Sequence, residues 1–255
     1  MSIVIMGSEN SNKNFSIFGD SISTFEGSNP DNYNVFYNSE MKIRTGITCE
    51  ADTWWGRVID FFDGKLLVNN SWSGSKVTKY QDAVSDFPSG ISLTRINSLS
   101  ANGVLPDIII VYLGTNDWGF GVPLSKTNDI TDRKLCFDES YNYMLHNIKK
   151  MYPKAKVYCC TLSKTYSKEH PDFIMPSAPY GITMEAYNDI IRKAALNNGC
   201  YLADIYGCNN PYDTIDGTHP NAVGMKTISN NIIKEMLKSG EWNVKYRLKA
   251  LFDKE

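Results

Sequence analysis

At 255 residues, with 42% hydrophobic and 21% charged side chains, the chain has an ordinary globular composition and the length to bury a large core. Its 26 Lys and Arg against 28 Asp and Glu leave it nearly neutral, with no basic block or stripe, which argues against a nucleic-acid partner. The longest apolar run, Ile108 to Leu113, is far too short to span a bilayer.

Met1 to Met6 is apolar but lacks the charged start, length and cleavage site of a signal peptide. Residues 1–14 read as an N-terminal tail, polar from Gly7 onward. Phe15 to Phe18 is then a short buried strand that stops in Gly19-Asp20-Ser21, where glycine's freedom of backbone angle permits a tight turn. Residues 26–50 carry no periodicity but hold Tyr33, Phe36 and Tyr37 among several asparagines, the mark of a lid or binding loop.

Asp52-Thr53 caps a helix with Trp54, Trp55, Val58, Ile59 and Phe62 at helical spacing. Lys65 to Asn70 is a second short strand, leading into Ser71-Trp-Ser-Gly-Ser75, and Ile91 to Ser100 a further helix. Pro106 to Leu113 is the clearest strand, its run from Ile108 apolar and largely β-branched, as expected of a central parallel strand covered on both faces, and it ends in Gly114-Thr-Asn-Asp117. After a loop-like stretch, Tyr141, Met144, Leu145 and Ile148 share one face of a helix over residues 138–151. Lys156 to Leu162 is a fourth strand, and residues 163–182 form a second irregular insert. A helix over residues 183–198, a strand from Cys200 to Ala203, and a helix after Asp216-Gly-Thr-His-Pro220 follow. Pro220 suits the first turn of that last helix. Residues 241–255 read as a final amphipathic helix.

Alternating strands and helices imply βαβ units on a parallel sheet, within one domain over residues 1–255. The six cysteines form no C-x-x-C pair and no cluster with histidine, so the expectation is a reduced cytoplasmic protein, or a secreted one if a leader has been removed. No Walker loop or Gly-x-Gly-x-x-Gly follows a strand, and no metal-ligand cluster is visible, so no cofactor and no metal are expected.

Four sites fall at the ends of elements on one edge of this sheet: Gly19-Asp20-Ser21, Ser73-Gly74, Gly114-Thr-Asn116-Asp117 and Asp216-Gly-Thr-His219. A serine hydroxyl is a poor nucleophile until a base takes its proton. Histidine, titrating ordinarily near about 6.5, suits that role. His219 is placed to serve, and Asp216, three residues earlier, to orient it. The backbone N–H of Ser21, the backbone N–H of Gly74 and the amide of Asn116 are candidate oxyanion donors. Taken singly, each block also reads as a turn or a helix cap. His146 reads as an exposed helix residue and His170 as a loop residue.

The ordered set resembles the SGNH (GDSL-type) hydrolases, whose blocks centre on Ser, Gly, Asn and His, here Ser21, Gly74, Asn116 and His219. Ile22 stands where the family's name has Leu. The resemblance spans about residues 15 to 235 and implies a three-layer α/β/α, flavodoxin-like domain with about five parallel strands and a metal-free esterase. The expected reaction is ester hydrolysis through an acyl-enzyme on Ser21, most of all of short acyl groups such as an O-acetyl on a sugar. A lipase, lysophospholipase or acyl-CoA thioesterase is the alternative within enzymes. A non-catalytic binding domain on the same fold is the alternative outside them.

Overall fold

The computed structural model describes residues 12–81, 83–127, 132–167, 181–242 and 244–252. Seven strands occur there: β1 (Asn14–Gly19), β2 (Lys65–Asn69), β3 (Ile108–Tyr112), β4 (Lys156–Cys160), β5 (Thr165–Tyr166), β6 (Tyr201–Ala203) and β7 (Tyr212–Asp213). Five of them form an all-parallel sheet in the order β2-β1-β3-β4-β6, with β1 and β3 in register from Phe15↔Ile108 to Gly19↔Tyr112. That is the doubly wound order in which ligands sit beyond the carboxyl ends of the strands. Asn14, read from the sequence as the end of a polar tail, is the first residue of β1. The first eleven residues of that tail lie outside the described residues.

The helices are α1 (Lys42–Thr45), α2 (Trp54–Phe61), α3 (Leu93–Asn97), α4 (Thr115–Gly119), α5 (Phe137–Met151), α6 (Met184–Asn197), α7 (Ala222–Lys238) and α8 (Val244–Phe252). Alternation along the strands sends side chains to two cores. Phe15, Ile17, Ile108, Ile110 and Cys160 pack with α2, α7 and α8 on one face. Phe18, Ile109, Val111, Val157 and Cys159 pack with α3, α5 and α6 on the other. The adjacent Cys159 and Cys160 therefore point to opposite faces, as strand geometry requires. The sheet has helices on both sides, the three-layer arrangement expected.

Caps fix where the helices start. Thr53 accepts from Gly56 N, Thr183 from Ala186 N, and Asn221 from Gly224 N. Asn221 is thus the cap of α7, and Pro220 precedes it rather than entering the first turn. The helix expected over 91–100 shortens to α3, because its following residues turn back through an Ala101–Val104 bridge. The residues after β3, expected as loop, begin with the short helix α4. The two-residue pairing of β5 with β7 is too short to leave a sequence pattern.

Candidate functional site

Gly19 ends β1 and leads the chain into a single 3₁₀ turn, Ser21–Ser23. The glycine is needed for space rather than for an unusual backbone angle. A Cβ there would lie 2.4 Å from Ser23 Oγ and 2.9 Å from Ser71 Oγ. The turn is held from below by α2: Trp54 Nε1 donates to Ser23 Oγ at 3.2 Å and Trp55 Nε1 to Ser23 O at 2.9 Å. Ser21 is buried to all but 7% of its surface.

Asp216 and His219 reach the same point from the loop between β7 and α7. Ser21 Oγ lies 2.9 Å from His219 Nε2, and His219 Nδ1 lies 2.7 Å from Asp216 Oδ2. Asp216 Oδ1 also accepts the backbone N–H groups of His219 at 2.7 Å and Thr218 at 3.0 Å. Burial opposes a charge on this carboxyl, but the bonds and charge of His219 and those N–H groups outweigh it and hold Asp216 down at about 2. An ionised carboxylate only accepts, so Nδ1 must carry the proton and Nε2 is left to accept from the Ser21 hydroxyl. Two turns 198 residues apart are thereby joined in one directed hydrogen-bond chain.

The other predicted blocks border this chain. Gly74 has φ of +82°, a left-handed conformation that favours glycine. Its neighbour Ser75 accepts from Asn116 Nδ2 at 2.9 Å and places its own hydroxyl 3.4 Å from Gly19 O. The 73–75 loop therefore sits between Asn116 and the serine turn. The backbone N–H groups of Ser21 and Gly74 meet no protein acceptor among the described residues, and Asn116 keeps a second amide hydrogen. Asp117, fully buried, braces the same loop by accepting from Val77 N at 2.7 Å, Thr78 N at 3.1 Å and Thr78 Oγ1 at 2.8 Å. Burial outweighs those bonds and pushes Asp117 up to about 6.

Four more side chains matter here: Arg95 and Thr24, which sequence reasoning did not name, and Asp20 and Phe36, which it named without a role. Arg95 is fully buried and donates to Gly19 O, Asn70 O, Asn70 Oδ1 and Pro88 O. Asp20 caps the serine turn through Ile22 N, and its other carboxylate oxygen is buried without a partner. Burial pushes Asp20 up to about 7, against the pull of that N–H and of the Arg95 charge. Thr24 accepts from Phe36 N at 2.9 Å and donates to Ser21 O at 2.9 Å. Phe36 itself lies flat on the His219 ring, centroids 3.6 Å apart and planes 7° apart. Asp20 stands inside the Gly19-Asp20-Ser21 block and Phe36 inside an aromatic loop of unusual length, whereas Arg95 and Thr24 leave no mark in the sequence. His146 is exposed on α5, and His170 lies outside the described residues.

A family model described as GDSL-like lipase/acylhydrolase matches residues 13–200, about three quarters of the chain. The chain belongs to that family. It is an ester-bond hydrolase on the family's fold. The match includes Ser21, Gly74 and Asn116 and stops short of Asp216 and His219, the two residues that the structure joins to Ser21 by hydrogen bonds.

Among solved structures, a protein described as a GDSL-like lipase from Bacteroides ovatus is 29% identical with a TM-score of 0.69, over 89% of this chain and 99% of that one. A second, from Bacteroides uniformis, is 29% identical with a TM-score of 0.68, over 89% and 96%. A carbohydrate acetylesterase from Sinorhizobium meliloti shares the fold at 15% identity and a TM-score of 0.58, over 89% and 99%. No curated protein matches the chain. No described helix is long and apolar enough to cross a membrane.

Proposed function

We propose that the chain hydrolyses esters through an acyl-enzyme, with Ser21 as nucleophile, His219 as base and then acid, and Asp216 orienting the imidazole. The observation that carries this reading is the Ser21–His219–Asp216 chain, with bonds of 2.9 and 2.7 Å. As Ser21 Oγ bonds to the acyl carbon, its proton passes to Nε2. The carbonyl oxygen becomes an oxyanion, received by the N–H groups of Ser21 and Gly74 and the free amide hydrogen of Asn116. The C–O bond to the alcohol then breaks, and the departing oxygen takes the proton from Nε2. Water repeats the sequence: its proton goes to Nε2, its oxygen to the acyl carbon, and Ser21 recovers the proton as the carboxylic acid leaves.

The acyl group in this proposal is short, an O-acetyl on a sugar being the best fit. Support comes from the loops that frame the serine turn, which carry polar and aromatic side chains. Asn34 exchanges hydrogen bonds with Ser73 in both directions, Phe36 covers His219, and Tyr33, Trp72 and Phe87 form a half-exposed aromatic cluster. Aromatic faces suit sugar rings and amides suit hydroxyls. The sugar-acetylesterase neighbour is a likeness of fold alone. A lipase or thioesterase acting on longer chains is the second reading, favoured by the description of the Bacteroides relatives as GDSL-like lipases.

The test is wild type and Ser21→Ala on acyl esters from acetate to octanoate, beside acetylated sugars and acyl-CoA. Ser21→Ala should lower kcat by as much as about 10⁶. More than a few per cent of residual rate would remove Ser21 as nucleophile. A buried CH₂ is worth about 0.8 kcal/mol, so a true acyl channel makes kcat/KM climb several-fold per carbon. A flat or falling series fits the short-acyl reading, and a steady climb fits the lipase.

A further inference from the structure

His219 is held at both ring edges, by Ser21 at Nε2 and Asp216 at Nδ1, and one ring face is covered by Phe36. That residue comes from the 26–50 insert, and the insert is fastened to both turns of the site. Phe36 N donates to Thr24 Oγ1, which donates in turn to the carbonyl of Ser21. On the other side Tyr37, buried next in sequence, donates from its hydroxyl to Pro220 O at 2.9 Å, one residue past His219. Phe36 therefore sits on a bridge between the serine turn and the histidine turn.

The stacking geometry carries a chemical implication. With centroids 3.6 Å apart and planes 7° apart, the rings lie almost directly face over face. Two neutral aromatic rings disfavour that sandwich and prefer an offset or an edge, because their quadrupoles repel. A cation over a ring face is attracted by the same quadrupole. Imidazole becomes a cation when it takes the Ser21 proton, so the contact improves as the transition state is approached. An interaction stronger in the transition state than in the ground state raises kcat rather than lowering KM.

We propose that Phe36 is a positioning residue for His219, holding the imidazole face-on between Ser21 and Asp216 and favouring its protonated form during acyl transfer. The inference rests on the acyl-enzyme reading above. It assigns the insert a part in catalysis beyond framing the substrate. Among the described residues, the titratable groups around the ring are Asp216 on its own loop, Tyr37 on the insert, Tyr212 on β7 and Asp20 beside Ser21. Burial pushes both phenols far up, so they stay neutral at working pH. Asp216 stays ionised, and Asp20 is common to every variant compared.

The experiment compares wild type with Phe36→Leu, Phe36→Tyr, Phe36→pentafluorophenylalanine and Ser21→Ala on p-nitrophenyl acetate, with melting temperatures and pH profiles of kcat/KM. Phe36→Leu keeps an apolar cover but no ring face. It should lower kcat roughly three- to thirtyfold, the range such a contact is worth, with KM within about twofold. Its acid limb should move to lower pH, since the imidazolium loses support. The fluorinated ring keeps the shape and reverses the quadrupole, so it should show the same losses at an unchanged melting temperature. Phe36→Tyr should restore most of the rate. Wild-type kcat and an unmoved acid limb in the leucine or fluorinated variant overturn the proposal while leaving the acyl-enzyme intact. Turnover retained by Ser21→Ala overturns the acyl-enzyme reading and this inference with it.

Discussion

Arg95 Nη2 donates to the carbonyl of Gly19 at 3.0 Å and to that of Asn70 at 2.6 Å, tying the ends of β1 and β2 together directly beneath the serine turn. Nη1 reaches Pro88 O at 2.6 Å, and the guanidinium stands 4.6 Å over the Phe18 ring. Each partner is a neutral oxygen, so one buried cation adds a donor to the Gly19 carbonyl, which Trp72 N also reaches at 3.1 Å, and serves the Asn70 and Pro88 carbonyls where the strands stop pairing.

Arg95→Lys keeps the charge but not the planar fork, and a single ammonium cannot serve three separated carbonyls at once. Disrupting a buried charged network of this kind costs about 3–5 kcal/mol, which for a chain of this size is on the order of 10 °C in Tm. Calorimetry on the purified variant checks it. A Tm within a degree or two of wild type would mean the carbonyls find other donors.

Asp216 gives a second expectation. Its replacement by Asn removes the anion that keeps the Nδ1 tautomer in place, with little change in shape. The tautomer with Nε2 protonated cannot accept from Ser21, and kcat should fall by about 10⁴. Steady-state kinetics with a KM near wild type is the expected pattern, and a loss below tenfold would take Asp216 out of the relay. Because Asp216 is held at about 2, below its ordinary 3.8, its contribution to stability is present above about pH 4 and lost as pH falls towards 2.

Asp20 and Asp117 give the opposite sign. Both are raised by burial, to about 7 and about 6, above the ordinary 3.8. Between pH 4 and 7 the folded chain therefore binds protons that the unfolded chain has released, and stability falls as pH rises. Melting temperature should decline from pH 5 to pH 8. Asp20→Asn keeps an oxygen for Ile22 N and removes the ionisation, so it should flatten the upper part of that decline. A variant whose Tm tracks wild type at every pH would show that Asp20 does not titrate there.

The sequence made the frame legible because the frame rests on local patterns. The β-branched run of β3, the helical spacing of Trp54, Trp55 and Val58, and the four blocks at strand ends are each readable in a short window. The order of those blocks alone puts Ser21, Gly74, Asn116 and His219 on one sheet edge. What escaped depends on contacts between distant segments. Arg95 touches Gly19 from 76 positions away, and nothing in its own helix distinguishes it from a surface arginine. Phe36 lies in an aperiodic loop, so its place over His219, 183 positions on, is set by Thr24 and Tyr37 rather than by spacing. Gly19 is needed at the turn, though not for its backbone angle. Ser23 and Ser71 fill the space a side chain would take.

Asn116 supplies the last expectation, and its geometry makes the outcome informative. Its amide already donates to Ser75 O at 2.9 Å, so one hydrogen holds the 73–75 loop and the second is not used by that bond. If that second hydrogen meets the oxyanion, its bond strengthens as charge develops, and removing it should lower kcat far more than it raises KM. Asn116→Ala should then cost roughly 10²–10³ in kcat, the usual effect of deleting one such donor. Losing the Ser75 bond alone would cost about 1 kcal/mol of stability, a few degrees in Tm. Tm and kcat are measured on the same Asn116→Ala sample. Both should fall, kcat by far more than a few degrees of Tm can explain. A lowered Tm with near-normal turnover would leave Asn116 as a brace for the loop and assign the oxyanion to the Ser21 and Gly74 N–H groups alone.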